Sequence, residues 1–235
     1  DLGIPGLTDA QIQILTTFQA SALTSAQLTQ MSSSQIAVIE TTDFGNLSTL
    51  AVKGIETGDI ASLTTAQIQS LTARQLSAIE TTQIQSLTTL QVSTIETRDI
   101  NGLTSQQIQA LDSNQLNAMT TAQVSVLSIT QLRAIETADL SGMTVDQAAV
   151  LSSVQINALT TAQVAALDTA QLSAIVTKSL MGFSAAQIAA FSSTQLGALT
   201  TSQIATLSAT QIKAIEAGRT LTTIDIASFT ADQLA

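Results

Sequence analysis

Every eighth residue from Leu7 to Ile215 is Leu, Ile, Met or Phe, an unbroken run of 27 octads in one register. A period of eight excludes both regular ways of building a long element. Along a continuous α-helix eight residues advance about 800°, so apolar positions would wind around the helix and never form one buried stripe. On a strand, the two apolar octad positions, first and sixth, differ by an odd number and would face opposite sides. The chain must therefore break its secondary structure once per octad.

The intervening residues say how. The second octad position is usually Ser, Thr or Asp, and the fifth is Gln in 20 of the 27 octads. In Leu199-Thr200-Thr201-Ser202-Gln203-Ile204 the Thr200 hydroxyl is placed to accept from the Gln203 amide, the Gln203 side chain to reach back, and Leu199 to pack on Ile204. This is a capping box with a hydrophobic staple, so each octad restarts a helix. Helices of one to two turns are unstable alone and need lateral stacking. The expected fold is all-α: a solenoid of very short helices, one per octad, around a packed aliphatic core.

A longer period lies above the octad. Ile55-Glu56-Thr57-Gly58-Asp59-Ile60, Ile95-Glu96-Thr97-Arg98-Asp99-Ile100 and Ile135-Glu136-Thr137-Ala138-Asp139-Leu140 recur every fifth octad, and Gly102, Gly142 and Gly182 close three successive octads of this type. The simplest expectation is five octads per superhelical turn, a 40-residue coil, with one corner per turn in a backbone conformation that glycine permits. The register admits no linker, so residues 1–235 are expected to form one continuous array. Octads run in register over 7–220, slip phase at 216–220 as a kink or shortened corner, and resume at Leu221. The opening Asp1-Leu2-Gly3-Ile4-Pro5-Gly6 lacks the pattern of a signal peptide, and the absence of polar terminal repeats suggests a segment of a longer protein.

Composition narrows function. The chain has no Cys, His, Trp or Tyr, and only 10% of its residues are charged. Ser and Thr abound, but no base stands ready to activate them, so no enzyme is expected. The glycines are scattered and form no phosphate cradle. Seventeen acids against seven bases give a net charge of −10, which argues against nucleic acid and anionic membranes as partners. No apolar run reaches the length of a membrane span, so no membrane insertion is expected.

Two features could carry ligand chemistry. With a 40-residue turn, the pairs Glu56 with Asp59, Glu96 with Asp99 and Glu136 with Asp139 would form a column of carboxylates suited to calcium. The competing reading places each Asp in a first helical turn, facing the helix dipole. The alternating Asp, Asn and Gly ligands of calcium loops are missing, so no cofactor or metal site is expected, calcium being the one ion these acids could serve. Paired threonines such as Thr120-Thr121, Thr160-Thr161 and Thr200-Thr201 could form the flat rank of an ice-binding surface, although capping already accounts for the first of each pair.

The phrases Leu63-Thr64-Thr65-Ala66-Gln67-Ile68 and Leu159-Thr160-Thr161-Ala162-Gln163-Val164 resemble the short Leu-Thr-x-x-Gln tandem repeats of large, acidic, cysteine-free bacterial secreted and surface proteins, often labelled adhesin-like or haem-utilisation-like. The resemblance covers essentially the whole chain. It implies export, an extracellular or cell-surface location, and a role as stalk, surface layer or filament, with self-association into fibres or layers. It does not extend to haem, for which only Met could serve as axial ligand here. The leading expectation is a non-enzymatic structural segment, a spacer, filament or surface-layer element. The alternatives are an adhesive or ligand-binding module for ice, glycan or protein, and a calcium-stiffened scaffold.

Overall fold

The computed structural model describes residue 3 and residues 6–218. Among these residues there are 24 α-helices, two 3-10 helices and no strand, and every helix but the last is four to six residues long. One helix falls in each octad. The described residues form two compact units, divided between Met119 and Thr120. Both are solenoids of short helices built on the same plan.

The capping box starts nearly every helix. At Thr65–Ser70 the Gln67 N–H donates to Thr64 Oγ1 at 3.2 Å, and the Thr64 N–H donates to Gln67 Oε1 at 2.9 Å. At the other end the chain leaves the helix at the first position of the next octad, where Leu71 is extended (φ −66°, ψ 127°). That residue and the sixth position point inward. Leu63, Ile68, Leu71 and Leu76 are buried, as are their counterparts from Leu23 to Ile215, including the edge-to-face pair Phe183 and Phe191 with ring centroids 5.2 Å apart.

The coil closes sooner than the 40-residue sequence period suggests. In the first unit Ser25–Thr29 packs on Thr49–Lys53, and Ala73–Ala78 on Thr97–Gly102. In the second unit Val145–Ala149 packs on Thr169–Ala174, and Ala185–Ala189 on Ala209–Gly218. Each pair is three octads apart, and the side-chain bonds between coils span 25 to 31 residues. The expectation of five octads per turn is therefore corrected to between three and four. The reason is packing: a five-sided coil of such short helices would leave a centre that inward-reaching Leu and Ile side chains could not fill, and protein interiors tolerate no such void. Five octads is the unit of sequence repetition, not of the turn.

Glutamine joins successive coils. The amide nitrogen of Gln67 donates to the carbonyls of Ile36 at 2.8 Å and Ile39 at 2.9 Å, which flank a corner of the preceding coil. In the second unit Gln163 Nε2 donates in the same way to Leu132 at 2.9 Å and Ile135 at 2.8 Å. One side chain thus accepts from its own N-cap and donates twice to the coil behind, using both amide hydrogens. This explains why a ladder of Gln residues lies fully buried, since buried polar groups are stable only when bonded.

The glycines act by proximity. No described residue has positive φ, so the special corner conformation expected at Gly102, Gly142 and Gly182 is not there. Instead a Cβ on Gly102 would stand 2.2 Å from the Ala73 carbonyl oxygen, and one on Gly182 would stand 2.1 Å from that of Ser153. Both are places where two coils touch backbone to backbone.

At the phase slip the corner is not made. The helix Ala209–Gly218 runs straight through Ile215, which elsewhere would be a corner residue. Glu216 is followed by Ala217 and Gly218, and Arg219 stands in the sequence where the stitching Gln would be; residues 219 and 220 of the expected slip lie outside the described residues. The resumed register from Leu221 lies outside the described residues.

Candidate functional site

The capping box fails in the octads that begin at Ile39, Ile55, Ile95 and Ile135, as it does in 175–182 with Val176 and Ser179, and in 47–54, where Ser48 caps but Ala51 stands in place of Gln. In all but the last of these, Asp or Ser replaces Gln at the fifth position, and Glu or Val replaces the hydroxyl at the second. Glu40, Glu56, Glu96 and Glu136 precede their helices without a side-chain cap bond. The elements that follow depart from the usual helix: Thr57–Ser62 and Thr97–Gly102 are 3-10 helices, and Thr41–Phe44 and Thr137–Leu140 have four residues. Without the box, the first turn is not held in α geometry.

The aspartates of these octads work between coils. Asp59 Oδ1 accepts from the Ser33 hydroxyl, Asp99 Oδ1 accepts the Ala73 N–H at 2.9 Å, and Asp43 Oδ1 accepts from Thr17 Oγ1 at 2.7 Å. Each reaches a partner 26 residues back. Asp thus replaces the donating contact of Gln with an accepting one directed at the helix three octads earlier. The Asp139 side chain lies in the first turn of Thr137–Leu140, after Glu136. Arg98 neutralises its neighbours, with Nη2 2.8 Å from Glu96 and Nε 3.2 Å from Asp99.

The six predicted acids do not stack over one another, because helices stack every third octad and these octads recur every fifth. Glu56 instead meets Glu80 and Lys53 at a shallow depression of about 440 Å³; Glu80 carries no signal in the sequence beyond its place at the second octad position. Among the described residues no group of three or more acids gathers at metal-binding distance. The threonine pairs divide as capping requires: Thr120, Thr160 and Thr200 accept from Gln123, Gln163 and Gln203, while Thr121, Thr161 and Thr201 open the helices and face solvent.

A second depression, of about 490 Å³, lies in the second unit over three stacked helices and is lined by Ile129, Val154, Met181, Arg133 and Lys178 among others. Its apolar members are exposed, and no periodic rule of the octad announces them. Among the described residues no helix is long and apolar enough to cross a membrane.

A family model described as the ALTTAQ repeat matches residues 52–89, 92–129, 132–169, 164–201 and 172–209. Four of these matches, those starting at positions 52, 92, 132 and 172, follow one another at five-octad intervals, in step with the sequence period. No curated protein matches the chain.

Proposed function

Because the chain belongs to the ALTTAQ repeat family, whose repeat is made here of cap, core and stitch, we propose that it is a non-catalytic structural segment, a spacer or filament element of an extracellular bacterial protein. The observation that carries this reading is the internal use of the glutamine that defines the octad: Gln163 is buried, accepts from Thr160 and gives its amide hydrogens to Leu132 and Ile135. The repeated chemistry serves extension. The outward positions vary from Ala66 to Arg74 to Leu90 within the same octad place, as suits a surface that need only stay solvated. Export is supported by the resemblance to secreted repeat proteins and by the absence of cysteine.

The test is made on the full-length parent protein in its own cells. Antibodies to this segment should label intact cells or the medium, and adding or removing octads should lengthen or shorten the segment seen by electron microscopy in proportion. Labelling only after lysis, or a dimension independent of octad number, would overturn the reading.

A further inference from the structure

The second unit carries an apolar groove rimmed by cations, in a chain that has only seven Lys and Arg against seventeen acids. Val154 is 61% exposed and Met181 60%, with Ile129 beside them. Arg133 and Lys178 border this floor, and no carboxylate among the described residues lines it. The Arg133 side chain is anchored by its Nε bond to the Ala158 carbonyl at 2.7 Å, which fixes its charge at the groove.

The first unit presents the complement. Phe18 is 83% exposed, whereas Phe44, Phe183 and Phe191 are buried. Its helix, Thr17–Ser21, packs on Thr41–Phe44 and is tied to it by Thr17 and Asp43. Directly before that second helix lies Glu40, exposed and without a cap bond. An exposed aromatic side chain and an exposed carboxylate therefore belong to two helices packed on each other. We infer that this Phe18 and Glu40 surface of one copy docks in the cationic apolar groove of a second copy. Apolar surface meets apolar surface, and although two chains of net charge −10 repel as wholes, the charges at this contact are opposite.

The contact joins two different patches, so it is heterologous: each copy keeps one unused groove and one unused Phe18 face, and further copies add head to tail, as a chain or as a ring that closes. The inference rests on the filament arm of the proposed function and names the surface through which the filament would grow.

Sedimentation velocity over a concentration series up to about 1 mM tests it, a range that detects even weak association. The native chain should form a ladder of oligomers. Phe18→Ser and Val154→Asp, both at exposed positions and both expected to keep the native circular dichroism, should each weaken association about tenfold or more. Mixing the two variants should give a dimer that grows no further, because Phe18→Ser retains a sound groove and Val154→Asp a sound Phe18. A chain monomeric throughout, variants that associate like the native chain, or a mixture that stays monomeric would each overturn the contact. None of these results touches the spacer reading, which depends on segment length and location.

Discussion

The side-chain amide of Gln163 donates to the carbonyl of Ile135, 28 residues earlier in the chain, at 2.8 Å. That bond is repeated at Gln67 to Ile39, Gln91 to Leu63, Gln187 to Leu159 and Gln203 to Ile175. It joins one coil to the next through backbone, so it requires no particular side chain on the receiving coil.

Replacing Gln163 by Ala would leave the buried Ile135 carbonyl without this donor and the half-buried Thr160 N–H without this acceptor, while the Leu132 carbonyl keeps the Ile135 N–H. At about 1 to 3 kcal/mol for a buried group left unsatisfied, the loss should be roughly 2 kcal/mol. Urea denaturation checks this against Ala162→Ser, which alters an exposed neighbour and should cost less than about 0.5 kcal/mol.

Gln163→Glu keeps the shape and loses the donor. Its carboxylate would face two carbonyl oxygens, which disfavour the charged form and raise its pKa above the usual value of about 4.3. Below that value both folded and unfolded chains carry the neutral acid, which can still donate once. The penalty relative to the native chain should therefore be smallest in acid and grow as pH rises through the usual value towards the raised folded pKa, as denaturation at about pH 3.5 and about pH 7 would reveal.

Gly102→Ala would push a methyl group to 2.2 Å from the Ala73 carbonyl oxygen, so two backbones must separate. A cost of about 1 to 3 kcal/mol or more is expected. Gly58→Ala meets nothing within 4 Å and, with φ negative, should be neutral or stabilise by up to about 1 kcal/mol. Thermal unfolding checks the pair: Gly102→Ala should lower the midpoint and Gly58→Ala should hold or raise it.

Deleting the single octad 159–166 should leave a folded chain, because every remaining Gln still finds backbone carbonyls at the right register. Removing only residues 159–162 should disrupt the coil, since caps and stitches then fall out of phase. Equal loss of helicity from the two deletions, read by circular dichroism, would show that the octad is not the unit.

The helix starts were legible because a capping box is a local pattern: Thr160 and Gln163 announce their bond within four residues. The core was legible for a related reason, since Leu159 and Val164 repeat with the period of the helix they staple. The size of the coil was not. The five-octad recurrence of Glu56, Glu96 and Glu136 reflects repetition of the chain, whereas the turn is set by how tightly short helices close around aliphatic side chains, which no residue spells out. The second role of Gln163 was hidden because its partners are main-chain carbonyls and leave no mark on the sequence at Leu132 or Ile135. The same holds for Gly102, whose neighbour is the backbone of Ala73. The groove at Val154 escaped notice because Ile129, Val154 and Met181 come together only when helices stack every third octad.

The size of the coil is the central claim, and the natural absence of cysteine makes it directly measurable by paired spin labels. Val154, Lys178 and Thr194 all occupy the fourth octad position, Lys178 three octads after Val154 and Thr194 five octads after it. The account predicts that labels at Val154→Cys and Lys178→Cys, on helices packed about 8 to 10 Å apart, broaden each other's continuous-wave EPR spectrum strongly, while labels at Val154→Cys and Thr194→Cys do not. Strong broadening in the five-octad pair, with none in the three-octad pair, would contradict it.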